Sequence, residues 1–268
     1  LGFPEYGVIG AALGNGLSFV IGALLLIVFW LSNQLSVKYS TIFDLDLDRV
    51  KEIFKVGLPA ALEQVIFQIG ITAFLILVAY YGTEAYAAYG IGVQILSFSF
   101  VIGFGFSIAG ATLVGQHLGA KNKNQAKRAG WGAMRLSIVS MTFFGVIIAT
   151  FAEPLARFMI DNDEVVRLTV IFIWLLGSMQ PLMAIEFSLG GALRGAGDTK
   201  TPLAITLTCL LFIRVFLAVI FFLLDASIEI IFSTLLADYI VKGFLYVSRF
   251  RSDKWMNVLK IKEVDQQP

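Results

Sequence analysis

The 268 residues contain one cysteine, Cys209, and one histidine, His117. An intrachain disulfide needs two thiols and a zinc site needs three or four ligands, so neither is expected. Charge is scarce too: Asp, Glu, Lys and Arg make up 15% of the chain, against about a quarter in soluble domains. Twenty basic and nineteen acidic residues leave a net charge of +1, which argues against a nucleic-acid partner. Catalytic signatures are missing as well, with no HExxH, no GxSxG and no Walker loop. The stretch Asp198-Thr199-Lys200-Thr201 is superficially similar to a phosphorylated-aspartate motif, but it reads as a short turn without a nucleotide domain. An enzyme is not expected.

What the chain has instead is apolar length. Hydrophobic residues make up 58% of it and the mean hydropathy is +0.83. Uninterrupted runs long enough to cross about 30 Å of hydrocarbon fall at roughly 6–32, 55–81, 87–115, 130–151, 166–191, 202–224 and 227–248. Barrel strands need only about ten residues of alternating character, and these runs show no alternation. The expected fold is therefore an all-α polytopic membrane protein, a helical bundle with seven visible transmembrane helices.

Cytoplasmic connections collect Lys and Arg. If the connection after the first span is inside, Lys38, Arg49, Lys51 and Lys55 lie there, and Lys121, Lys123, Lys127 and Arg128 lie in the next inside connection. Arg194 and Lys200 follow, and then Lys242, Arg249, Arg251, Lys254, Lys260 and Lys262, which makes sixteen of the twenty cations. Arg157 and Arg167 face out; Arg135 and Arg214 fall within spans. The C-terminus is thus expected in the cytoplasm and residue 1 outside. The opening Leu1-Gly2-Phe3-Pro4-Glu5 has neither Met nor signal peptide, which reads as a truncated chain.

The connection from Asn33 to Lys55 is the longest and most polar, and looks like a seam between two halves. Asp44 or Asp48 would cap a short amphipathic helix running into the second span, with Ile53, Phe54 and Val56 on its apolar side. Glycines within spans (Gly10, Gly14, Gly103, Gly105, Gly110 and Gly115) are read as close-packing positions. Pro59 lies near the start of the second span. Pro181, inside the fifth, is expected to kink its helix and free a carbonyl near Gly177 for a ligand or water.

A charge within a span costs about 2.5–3.5 kcal/mol on insertion scales, so each one needs a reason. Glu63 follows Pro59-Ala60-Ala61-Leu62, with Gln64 and Gln68 on a neighbouring face and no Lys or Arg within one turn. Such a carboxylate suits a small cation, Na⁺ included, or a proton; the alternative is a neutral Glu bonded to another helix. Glu186 follows Met179, Gln180, Pro181 and Met183, and a Met-flanked carboxylate fits varied organic cations. A salt bridge to Arg194 or to a neighbouring helix stands beside that reading. Gln94, on the third span, is a further polar candidate for the same cavity. Arg214 is expected to pair structurally, with Glu186 as one partner; Asp238 and Lys242 are read as an ordinary i, i+4 pair at an inside helix end. Arg135 is expected to snorkel from its span toward the basic loop.

Four segments then carry a resemblance: Gly57-Leu58-Pro59-Ala60-Ala61-Leu62-Glu63, Gly82-Thr83-Glu84-Ala85-Tyr86-Ala87-Ala88-Tyr89, Leu113-Val114-Gly115-Gln116-His117-Leu118-Gly119-Ala120-Lys121 and Gly191-Ala192-Leu193-Arg194-Gly195-Ala196-Gly197-Asp198-Thr199-Lys200-Thr201-Pro202. Together, in this order, the sequence resembles the multidrug and toxin extrusion (MATE) transporters over nearly its whole length. The resemblance implies two six-helix lobes. Residues 1–33 would be the last helix of the first lobe, 34–54 the cytoplasmic linker, 55–248 the second lobe and 249–268 a cytoplasmic tail.

It also implies a function: secondary antiport in the plasma membrane (the cell inner membrane of a bacterium), expelling organic, often cationic drugs in exchange for Na⁺ or H⁺, without another cofactor. Glu63 would stand near a seventh-helix carboxylate used for cation coupling, although in some members that Glu lies about one turn further on, where this chain has Phe67. Glu186 would line the second-lobe cavity, where other members often have an uncharged residue, and His117 would be structural. A lipid-linked oligosaccharide flippase of the wider superfamily is the rival, but such cavities are rich in Arg and Lys, and only Arg135 and Arg214 fall within spans here. A seven-helix receptor or retinal protein lacks its Asp-Arg-Tyr and Asn-Pro-x-x-Tyr elements, and Lys242 lies too near the inside end for a Schiff base.

Overall fold

The computed structural model describes residues 7–32 and 47–258, all of them helix or short turn. The chain divides into two units, Leu1–Val50 and Lys51–Pro268. In the first, α1 (Gly7–Leu31) has no acid in its first turn and no base in its last, and Ala12–Leu31 is apolar enough to cross a membrane. The expected caps at the seam divide: Asp44 lies outside the described residues, whereas Asp48 sits in the first turn of α2 (Leu47–Ala79). Among the described residues the helix entering the second span is continuous with it, since α2 runs unbroken from Leu47 through Pro59.

The second unit continues with α3 (Thr83–Gly119), α4 (Lys123–Thr150), short α5 (Ala152–Met159), α6 (Asp163–Ser178) and α7 (Gln180–Gly195). Then α8 (Lys200–Leu207) passes through a π-helical segment, Thr208–Val215, into α9 (Phe216–Leu223), and α10 (Ile228–Arg251) ends in a 3₁₀ turn, Lys254–Asn257. Six helical stretches across the described residues are long and apolar enough to span a membrane, and α6 with α7, bent by 54°, make a seventh. The bend falls where expected. Met179 is the joint, and Pro181 begins the second half, where its missing N–H costs nothing. The Gly177 carbonyl, however, sits 3.4 Å from where a Cβ on Gly145 of α4 would lie, so it faces a neighbouring helix.

Lipid inverts the usual burial pattern. On α4 the buried stripe is Ala126, Gly130, Ala133, Ser137, Met141, Gly145 and Ile148, five of the seven small, at three- and four-residue spacing. Its lipid side carries Leu136, Val139 and Phe143. With no hydrophobic drive between helices in hydrocarbon, small residues bring backbones into van der Waals contact. The tightest seam joins α3 to α7. A Cβ on Gly191 would lie 2.1 Å from the Ser107 carbonyl, and one on Gly195 would lie 2.1 Å from the Ala111 carbonyl. Gly110 and Gly115 meet the Ser188 and Gly195 carbonyls from the other side, and Gly103 is filled by the Phe187 ring, as a packing role requires. Gly14 and Gly105 face open space instead.

The two ends of this unit are separately pinned. At one, Asp198 accepts from the Thr201 hydroxyl at 2.8 Å, starting α8, and from Arg249 Nε at 2.8 Å, tying down the end of α10. Lys127 meets Asp253 at 2.7 Å at the same end. At the other, Arg157 bridges Glu153 and Asp163, both at 2.9 Å, and Arg167 reaches Glu164 at 2.7 Å and Glu229 at 3.1 Å. Tyr81 donates to the Ala226 carbonyl there at 2.8 Å, joining two turns.

Candidate functional site

Between these ends the second unit encloses a cavity of about 330 Å³, walled by α2, α3, α6, α7, α8, the π-helical segment and α10. Aromatic residues are the largest group in its wall. Phe100 and Phe104 project from α3 against Phe187 of α7, with ring centroids 6.4 and 4.9 Å apart, and Tyr89 meets Phe172 at 5.2 Å. The sequence reading assigned none of these rings to a cavity, because in so apolar a chain a ring facing a cavity and a ring facing lipid look alike.

Glu63 lines this cavity and is 6% exposed. It is not alone there. Arg194, from the far end of α7, donates to Glu63 Oε1 at 2.9 Å and to the Ser107 hydroxyl at 3.4 Å, and the Thr206 hydroxyl reaches the same Oε1 at 3.5 Å. The lack of a cation within one turn of Glu63 is true of α2 alone, since the partner comes from 131 residues away. The other oxygen, Oε2, is buried with no hydrogen-bond partner. A buried carboxylate oxygen left unmatched is a place for a proton or a small cation.

Glu186 also lines the cavity, and its partner is Lys242 Nζ at 3.2 Å, not Arg194. Arg214 turns not to Glu186 but to Asp238, at 2.5 Å, and Lys242 reaches Asp238 at 3.4 Å. The ring of Tyr239 lies 5.3 Å from both Arg214 and Lys242. Asp238 and Lys242 thus form the expected i, i+4 pair, but buried among helices rather than exposed to water. The π-helical segment offsets the helical register around Arg214, a feature that often accompanies functional sites.

Met183 and Gln64 join the lining; Gln68 and Gln94 are exposed outside it. At Gln94 the described contact is made by the backbone, whose carbonyl accepts from Ser97 at 2.6 Å. No three Asp, Glu, His or Cys side chains gather into a metal cluster among the described residues. Three carboxylates (Glu63, Glu186 and Asp238) are matched by three cations (Arg194, Arg214 and Lys242) around the cavity. The pairs escaped the sequence because each links segments far apart in the chain.

A bundle of membrane-spanning helices around a charged, aromatic cavity defines a polytopic membrane protein of transporter architecture. The chain belongs to the MatE family, whose model matches residues 59–220. A probable multidrug resistance protein NorM from Thermotoga maritima is 34% identical over 264 residues, covering 95% of this chain and 55% of that protein. An uncharacterized transporter from Bacillus subtilis, YisQ, is 23% identical over 257 residues, covering 95% of this chain and 56% of its own length. The chain therefore spans about half the length of the curated relatives it matches. Among solved structures, the eukaryotic MATE transporter AtDTX14 superposes with a TM-score of 0.81 at 20% identity, over 93% of this chain and 57% of that one. The expected family and the all-helical fold are both borne out.

Proposed function

We propose that the protein is a secondary antiporter that expels organic, often cationic compounds from the cell in exchange for Na⁺ or H⁺. The observation that carries this is the union, in one cavity, of an aromatic wall with a carboxylate whose second oxygen is unmatched. Phe100, Phe104 and Phe187 offer faces to a flat organic cation, while Glu63 offers charge. Family membership and the multidrug resistance names of the relatives support the reading.

Arg194 gives the exchange its mechanism. With the cavity empty it neutralises Glu63; a proton, Na⁺ or cationic drug that reaches Oε2 takes over that task and weakens the pair. The three ligands thereby become mutually exclusive, which is what alternating access with antiport requires. Residues 55–248 act as one lobe and move against another. The protein sits in the plasma membrane with the basic end of the bundle and residues 249–268 in the cytoplasm.

The charge balance favours this reading over a lipid-linked oligosaccharide flippase. Arg194, Arg214 and Lys242 are all occupied by carboxylates, which leaves the cavity, among the described residues, no unpaired cation for a pyrophosphate. The test is ethidium efflux by the full-length protein in vesicles under an imposed Na⁺ or H⁺ gradient. Efflux that follows one gradient and stops when it is collapsed supports the proposal; efflux indifferent to both contradicts it. A Cys placed after Lys262, with Cys209 replaced, should resist an impermeant thiol reagent in intact cells, and ready labelling would overturn the orientation.

A further inference from the structure

A second concavity lies on α4, lined by Asn124, Lys127, Arg128, Trp131, Gly132 and Arg135. It is independent of the aromatic cavity, to which α4 contributes nothing. Residues spaced three and four apart share a helix face, so these six form one stripe. Three are cations and no carboxylate is among them.

Lys127 is engaged by Asp253. Arg128 and Arg135 are exposed and, among the described residues, neither has an ion-pair partner. Arg135 stands about 10 Å further along the helix axis than Arg128 and inside the span Lys123–Thr150. Arg194, Arg214 and Lys242 each have a carboxylate within 3.2 Å, so Arg135 is left exposed at depth without the compensation they receive. Beyond it α4 shows lipid Leu136 and Val139, 63% and 68% exposed.

Two features shape the groove. Trp131 is set edge-on to Phe250, 5.2 Å between centroids, and Phe250 in turn stacks on Trp255 at 4.6 Å, so one wall is fixed by a row of rings. Gly132 leaves the floor open, since a Cβ there would meet nothing within 4 Å.

We propose that this groove binds the headgroup of an anionic phospholipid. Arg128 and Arg135 bracket the phosphate with planar donors suited to its oxygens, and Trp131 lies at the level where aromatic rings meet headgroups. The acyl chains continue along Leu136 and Val139. That continuity selects a lipid over a soluble phosphate, and the surplus of cations selects an anionic lipid over a zwitterionic one.

The test is native mass spectrometry of the full-length protein released from nanodiscs of phosphatidylglycerol or phosphatidylcholine. One phosphatidylglycerol should be retained, and Arg128→Gln with Arg135→Gln should lower its occupancy about tenfold, a loss of ~1.4 kcal/mol. Gly132→Leu keeps both charges, meets open space and fills the groove, so it should displace the lipid equally even if the charge variant folds poorly. Arg157→Gln, outside the groove, should change nothing. Undiminished retention in Gly132→Leu, equal retention of phosphatidylcholine, or displacement by glycerophosphate alone would each overturn the assignment.

Discussion

Two ionic assemblies face the same cavity and are built differently. Around Asp238 the partners are sealed: Asp238 and Lys242 are at most 1% exposed, Arg214 is 4%, and each carboxylate meets cations from its own or another helix. The distances are ionic, yet several of these atoms lack hydrogen-bond alignment, so charge proximity rather than directed bonding holds the group. Around Glu63 there is one cation, its side chain 30% exposed, and one oxygen without a partner. In the sealed group the carboxylate of Asp238 has two cations within 3.4 Å, whereas Glu63 has one, and that one is partly exposed. Under the proposed function, the difference separates charges that hold the bundle together from the charge that exchanges partners.

The strongest way to break the comparison is Asp238→Ala. It strands Arg214 and leaves Lys242 with Glu186 alone, and removing one member of a buried ion pair costs about 3–5 kcal/mol, a large share of the roughly 5–15 kcal/mol that holds a protein folded. Thermal unfolding in detergent should show a steep fall in Tm and poor membrane yield; a Tm equal to wild type would mean the sealed group is not structural. Replacing the pair together, Asp238→Leu with Arg214→Met, sharpens the point, since apolar substitution of a whole buried pair is often neutral. That double variant should recover most of the Tm lost in the single one.

Arg194→Gln should cost far less, about 1 kcal/mol, because the Arg194 side chain is itself 30% exposed and the amide still donates to Glu63. Its effect belongs to function: without its resident cation Glu63 should take up the coupling ion more tightly, and the ion concentration giving half-maximal efflux should fall. An unchanged ion dependence would remove Arg194 from the exchange. The smallest effect is expected at the outer rim. Arg157→Gln breaks two exposed bridges, to Glu153 and Asp163, and exposed pairs contribute little. Its Tm and efflux should match wild type.

The comparison also marks what the sequence made legible. Span positions followed from apolar length, and the bend at Met179 from Pro181, because both are local properties of the chain. Glu63, Glu186 and Arg214 stood out because a charge in hydrocarbon demands a reason. Who pairs with whom was not legible. Glu63 meets Arg194 and Arg214 meets Asp238 only once the helices are packed, and Asp238 with Lys242 looked like a surface pair since i, i+4 spacing is the same in water and in a core. The short helix expected to run into the second span is continuous with it, since α2 begins at Leu47.

The central claim, that Glu63 is the charge that exchanges partners, is tested most directly by ion-driven drug efflux in Glu63→Gln. The amide keeps the size of the side chain and much of its hydrogen bonding with Thr206, so the full-length variant should fold and reach the membrane. It should nevertheless lose most ion-dependent ethidium efflux. Export at the wild-type rate with unchanged dependence on Na⁺ or H⁺ would contradict the account and leave Glu63 as a packing residue.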